Sequence, residues 1–354
     1  MKAESEPQST IAPLRSTFLF HVLWVCIVLA GLVTFATAQS EVVLVGSGSS
    51  VPAPLYTRWA EESSKHTAKI RMRYLPVGTS EGIKQIGHGV GDFAAGEAQL
   101  TEKERNEGSL IELPVVLIGI VPIYNLPDVH KEIRFSGEVL AEILLGDVKM
   151  WNAPQIAKLN PDVSLPSLPI QVINRPAGKG SNYVLTEFLS KVSSRFRAQI
   201  GTSPSPKWPV GEPAERSSDM ADKVKSNVGS IGYVEYQYAL KNHIPQAAVL
   251  NSAGRFVQAS PETMAAACKA AEAPQWSSFT ASLSNASGAD SFPITSFTWI
   301  YLRTPSSDPT RAAALHDLLE WIYSDGQQYA LQEGYAELPP PLLAAVKKKI
   351  KELR

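Results

Sequence analysis

An apolar run, Ile170-Gln171-Val172-Ile173, ends at Arg175 and passes through Pro176-Ala177-Gly178-Lys179-Gly180-Ser181 into Val184, Leu185, Phe188 and Leu189 at helical spacing. That order predicts a strand, a glycine loop and a helix. A helix N-terminus presents unpaired N–H groups and the positive end of the peptide dipole. Here two glycines let an anion approach the backbone, while Arg175 and Lys179 add charge, so the segment reads as an oxyanion cradle. Taken alone it is equally an ordinary strand-to-helix turn with a solvated arginine and lysine.

Two further versions change that balance. Residues 41–45 form a short apolar run, Gly46-Ser47-Gly48-Ser49-Ser50 follows, and Pro52 and Pro54 open a segment with Leu55 and Trp59 one helical turn apart. Residues 71–75 lead through Pro76-Val77-Gly78-Thr79-Ser80 to Ile83 and Ile86, with Thr79 or Ser80 placed to cap a helix. Three strand–loop–helix units, two of them rich in small hydroxyl residues, suggest one anion held by converging helix ends.

Other segments repeat the alternation. Residues 115–124 and 297–302 are apolar runs fit for strands crossing between two lobes, which allows a discontinuous first lobe. Between them lie a helical segment over 136–145, Trp151-Asn152, a helix over 154–159 and the strand-forming Gly229-Ser230-Ile231-Gly232-Tyr233-Val234; downstream, Asp308-Pro309 opens a helix with Leu315, Leu318, Leu319 and Ile322 on one face. Alternating short strands and helices imply an α/β sheet.

At 354 residues and 44% hydrophobic, the chain is long and apolar enough for two globular domains. A net charge of −1, with Lys347, Lys348, Lys349 and Lys351 as a solvated face of the last helix, argues against nucleic acid or an anionic membrane as partner. The stretch 17–35 is almost wholly apolar and is followed by Ala36-Thr37-Ala38, the small-x-small pattern of a cleaved secretory signal. Residues 1–38 are therefore expected to direct export to the periplasm and be removed, with an uncleaved membrane anchor as the alternative, because the stretch approaches spanning length. Cys26 falls in this segment, so Cys268 is left without a disulfide partner.

Enzymatic readings find little support. Gly178-Lys179-Gly180-Ser181 lacks the earlier glycine of a phosphate-binding P-loop, the six histidines form no His-x-x-x-His pair, and no serine lies in a Gly-x-Ser-x-Gly elbow. Neither a metal nor a cofactor is expected.

Gly46-Ser47-Gly48-Ser49-Ser50-Val51-Pro52-Ala53-Pro54-Leu55-Tyr56, the run Gly78 to Gln85, Asp92-Phe93-Ala94-Ala95-Gly96-Glu97, the Arg175 loop and the run Gly229 to Tyr236 occur in the order found in the periplasmic phosphate-binding proteins of phosphate ABC transporters, and Ser136 to Gly146 and Trp151-Asn152 also resemble that family. The resemblance spans residues 41–354. It implies a two-lobed class II solute-binding fold, mixed sheets flanked by helices with a ligand cleft between the lobes. One lobe would comprise 41–118 and 298–354, the other 119–297. It also implies a monomer that closes on inorganic phosphate and delivers it to an inner-membrane ABC permease. An alternative left open is a divergent oxyanion sensor or surface interaction module.

Carried over position by position, the resemblance places the phosphate donors at Ser50, Val51, Thr79, Arg175, Lys179, Gly180 and Ser181, and the proton-accepting carboxylate at Glu97, where the family has Asp. Two positions depart from the family. Ala177 replaces an Asp that pairs with the arginine, and Lys179 replaces a Ser. Counted on these residues the site is more positive than the family norm, so either Lys179 neutralises Glu97 and weakens phosphate-over-sulfate discrimination, or Lys179 points to solvent and leaves it intact.

Overall fold

The computed structural model describes Met1 and residues 41–66, 69–271, 279, 281–306 and 308–353; the apolar leader and Cys26 lie outside the described residues. The strands are β1 (Val42–Gly48), β2 (Ile70–Leu75), β3 (Phe93–Gly96), β4 (Leu110–Tyr124), β5 (Arg134–Phe135), β6 (Gln171–Asn174), β7 (Glu212–Pro213), β8 (Ser230–Glu235), β9 (Ala248–Leu250), β10 (Phe256–Val257) and β11 (Thr295–Arg303). Eight of them form one mixed sheet in the order β2-β1-β3-β11-β4-β8-β6-β7, and β10-β9-β5 form a small second sheet. Residues Val42–Arg354 pack as one unit.

The long strand β4 organises the sheet. Its first part, up to Gly119, pairs antiparallel with β11, and its last part, Ile120 to Tyr124, pairs antiparallel with β8. On one side of this pair β1, β2 and β3 run parallel, and on the other β6, β7 and β8 run parallel. Nearly every residue of β4 is buried, which is why it reads as a continuous apolar run rather than an alternating one.

β4 starts at Leu110, earlier than the sequence suggests, because Pro114 sits inside it. Pro114 cannot donate to the ladder, and the register with β11 slips there: Thr298 faces Val116 and Trp299 faces Pro114, leaving Val115 as a bulge. The bulge is bonded from outside the sheet, with Gln327 Nε2 donating to Val115 O at 3.2 Å and the Tyr323 hydroxyl to Pro114 O at 3.0 Å.

Of the two helix caps expected from sequence, one forms. Asp308 accepts from the N–H groups of Thr310 and Arg311 and starts the helix Pro309–Ile322, and Ser136 caps Gly137–Leu145. The helix Thr79–Gly87, however, is preceded by Gly78 with no side-chain cap. The Thr79 hydroxyl donates to the Glu97 carboxylate at 3.1 Å instead. Cys268 is buried with a free thiol.

Candidate anion-binding site

In open α/β sheets the loops after the strands gather at their carboxyl ends, and ligands bind there. That rule collects the site. β1 ends in the Ser49–Val51 loop, β2 leads to Gly78 and Thr79, and β3 ends at Gly96 and Glu97; across the β4–β11 pair, β6 ends at Asn174 before Arg175, and β8 ends at Glu235. The two groups of loops meet. The Ser80 N–H donates to Gly178 O at 3.2 Å, and Gln237 Nε2, just past β8, donates to Val51 O at 3.2 Å.

Arg175 is held by its backbone. Its N–H donates to the Tyr233 hydroxyl at 2.9 Å, and its carbonyl accepts from Trp208 Nε1 at 3.2 Å and Asn182 Nδ2 at 3.3 Å. Tyr233 in turn donates to Asn182 Oδ1 at 2.5 Å, and Asn182 Nδ2 reaches Pro176 O at 2.8 Å and Pro204 O at 3.2 Å. The loop therefore keeps its shape before any ligand arrives, which reduces the ordering cost of binding. Its guanidinium is buried, with Nη1 donating to Ser217 Oγ at 3.3 Å and Nε without a protein partner.

Gly180 opens the 13-residue helix Gly180–Val192 and Lys179 precedes it; the Asn182 N–H bonds back to Lys179 O at 3.2 Å, which leaves the N–H groups of Gly180 and Ser181 without an intrahelical carbonyl. Glu97 stands against this helix end, fully buried. Its Oε2 accepts from Thr79, and a Ser49 hydroxyl contact also reaches the carboxyl; its Oε1 has no protein partner. Burial pushes this carboxyl up to about 7, against the pull of the Ser49 and Thr79 hydroxyls, with the Glu235 charge adding to the rise. The Ser181 hydroxyl is likewise buried and unpartnered. Three buried polar atoms on two sides of the sheet, Glu97 Oε1, Arg175 Nε and Ser181 Oγ, thus lack protein partners. Buried polar groups are normally bonded, and this set fits an acceptor and donors for a partly protonated oxyanion.

The structure brings Thr79, Glu97, Arg175, Gly180 and Ser181 into this cluster, and it relocates or redirects the other sequence candidates. Beside Thr79, the hydroxyl contact at Glu97 comes from Ser49, one residue before Ser50. The Val51 N–H donates to Ser49 Oγ at 3.1 Å, and its carbonyl accepts from Tyr335 at 2.8 Å as well as from Gln237. Lys179 turns away, its Nζ pairing with Glu215 at 3.1 Å. Of the two readings of Lys179, the geometry favours the one in which it leaves Glu97 alone. A further buried carboxyl outside the positions counted from sequence, Glu235, accepts from Ser217 Oγ at 2.8 Å. Ser49, Ser217, Tyr233 and Glu235 were not singled out from sequence; only the position of Glu235 at the end of a predicted strand offered a signal. Trp151 is a core residue bonded to Gly229 O at 2.8 Å, whereas Trp208 braces the Arg175 loop.

An α/β unit with two sets of parallel strands joined through an antiparallel pair, and oxyanion-type donors gathered at the carboxyl ends of both sets, defines a two-lobed type II solute-binding protein. Comparison with known proteins specifies it further. Residues 35–326 match the PBP superfamily domain. The chain is 35% identical over 318 residues to the phosphate-binding protein PstS of Pasteurella multocida, covering 88% of this chain and 91% of that one. It is 34% identical to the PstS of Haemophilus influenzae, covering 90% and 94%. A crystal structure of the phosphate-binding protein of Stenotrophomonas maltophilia has the same fold, with a TM-score of 0.65 at 18% identity over 87% of this chain and 94% of that one. The chain belongs to the PBP superfamily and, within it, to the PstS family of phosphate-binding proteins.

Proposed function

We propose that this chain captures inorganic phosphate between its two lobes and delivers it to an ABC permease, through a site made of Thr79, Glu97, Arg175, Gly180 and Ser181 with Ser49, Ser50 and Val51 at its edge. The observation that carries the reading is the set of buried atoms without protein partners, Glu97 Oε1, Arg175 Nε and Ser181 Oγ, beside the N-terminus of the Gly180 helix. Lys179 stands aside from the anion: its ammonium group is engaged by Glu215 at 3.1 Å and its backbone N–H by Pro204 O at 3.2 Å.

The chemistry follows from charge and protons. Arg175, the Ser181 hydroxyl and the helix N-terminus stabilise the anion's oxygens. Glu97, with its carboxyl raised to about 7, exchanges its proton in the range where inorganic phosphate exchanges its second one. The two acids then share a proton across a short hydrogen bond, and an oxyanion with no proton to offer would face a buried carboxylate without a donor. Titration calorimetry with phosphate, arsenate and sulfate tests the reading. Saturable, one-to-one phosphate binding is expected, and no heat of phosphate binding would overturn it.

The lobes of the proposal are 41–118 with 298–354 and 119–297, moving about β4 and β11. Family membership is consistent with a periplasmic protein; that it works as a monomer beside an ABC permease is part of the proposal. The leader 1–38 fits export, and the mature chain is then expected to begin near Gln39.

A further inference from the structure

Arg175 carries the positive charge of the site, yet no carboxylate lies in its own loop: residues 175–181 contain no Asp or Glu. Its charge is met from another strand. Arg175 Nη1 donates to Ser217 Oγ at 3.3 Å, and Ser217 Oγ donates to Glu235 Oε2 at 2.8 Å. A hydroxyl has one proton. Because that proton is directed to Glu235, the oxygen turns a lone pair to the guanidinium, so the order carboxylate, hydroxyl, guanidinium is fixed by chemistry as well as by packing. All three side chains are buried, Arg175 at 2%, Ser217 at 6% and Glu235 at 5% exposure. They come from separate elements, the β6 loop, the start of the helix Ser217–Ser226 and the end of β8. The other basic group of the loop, Lys179, is paired with Glu215. The site therefore sets two buried carboxyls, Glu97 and Glu235, against one guanidinium.

We propose that Glu235 is a specificity-determining residue of the site: through Ser217 it positions Arg175, and by its charge it disfavours oxyanions that carry no proton, sulfate above all. The proposal rests on the phosphate reading of the site. A buried charge acts at low effective dielectric, so Glu235 lowers the affinity for any dianion at Arg175. Phosphate offsets this by donating its proton to a carboxyl of the site. Sulfate has no proton to donate at neutral pH.

Competition calorimetry with inorganic phosphate and sulfate on the wild type, Glu235→Gln and Ser217→Ala, at neutral pH and fixed ionic strength, tests this. Glu235→Gln keeps an acceptor for Ser217 but removes the charge, so the phosphate-to-sulfate affinity ratio is expected to fall by roughly tenfold or more. Ser217→Ala keeps the charge and cuts the link, so both anions are expected to weaken by about fivefold or more with the ratio nearly unchanged. A purely structural role would weaken both anions in parallel in Glu235→Gln too. Wild type that binds phosphate with an unmoved ratio in Glu235→Gln overturns the role of Glu235 alone, whereas wild type that binds no phosphate overturns the reading of the site. Should Glu235→Gln fail to fold, Ser217→Ala still decides, since unaltered affinities there would sink the link to Arg175.

Discussion

Glu97 occupies the space in which a side chain on Gly180 would begin: a Cβ at Gly180 would lie 1.5 Å from Glu97 Oε2 and 2.6 Å from Thr79 Oγ1. The carboxyl thus reaches the N-terminus of the helix Gly180–Val192 only because Gly180 has no side chain. The Gly180→Ala protein is expected to fold, because the β3 end and the Gly180 helix shift apart to admit the methyl group, and to lose phosphate affinity by at least about a hundredfold, because Glu97 and the Gly180–Ser181 donors no longer converge. Calorimetry alongside circular dichroism checks this; native spectra with undiminished affinity would show that Glu97 and Gly180 need not meet.

Arg175 is the second test. Its backbone is fixed by Tyr233, Trp208 and Asn182, so truncating the side chain leaves the loop intact and removes only the guanidinium. Losing a charge-assisted contact to a buried oxyanion costs about 2–5 kcal/mol, or roughly 30-fold to several-thousand-fold in affinity. Calorimetric titration of Arg175→Ala with phosphate measures it, and an affinity within threefold of wild type would place the anion elsewhere.

The parts of this site legible in sequence were the local ones. Gly78, Gly178, Gly180 and the prolines around them punctuate strand and helix over a few residues and point to Arg175, whereas Glu97 and Ser181 entered only through the resemblance to the phosphate-binding family. What stayed hidden depends on pairing across the sheet. Glu235 and Ser217 reach Arg175 because β8 lies beside β6, a non-local contact that no spacing encodes. Lys179 turns away because of Glu215, and Thr79 fails to cap its helix because Glu97, supplied by β3, claims its hydroxyl. Pro114 hid the start of β4, since a proline argues against a central strand unless a bulge accommodates it.

Asp92, in the same motif as Glu97, serves the fold instead. Arg311 donates from Nε at 2.7 Å and from Nη2 at 2.5 Å to the Asp92 carboxylate, and Nη2 also reaches Val43 O at 2.8 Å. Asp92 Oδ2 accepts from the Val45 N–H at 2.7 Å, so this ion pair fastens the helix Pro309–Ile322 to β1. The Arg311 side chain is 39% exposed and Asp92 8%, so solvent screens part of the interaction and Arg311→Ala is expected to cost about 1–3 kcal/mol. Chemical denaturation should show that loss with phosphate affinity unchanged; equal stability would mean that water replaces the guanidinium without cost.

The raised Glu97 carboxyl makes a prediction for the ligand-free protein. Its value rises from 4.5 to about 7 on folding, chiefly through burial. Between those values the folded protein binds more protons than the unfolded chain, so stability falls as pH rises through that window and levels off above it. At about 1.4 kcal/mol per unit, the full effect is roughly 3 kcal/mol. Glu97→Gln has no proton to lose and should not show it. Melting temperatures of wild type and Glu97→Gln, measured without phosphate from pH 5 to pH 8, are expected to move relative to each other by several degrees, with wild type losing ground toward pH 8. A constant difference across that range would mean that Glu97 ionises as an ordinary exposed glutamate does, and the proton it is expected to share with phosphate would then have to come from another group.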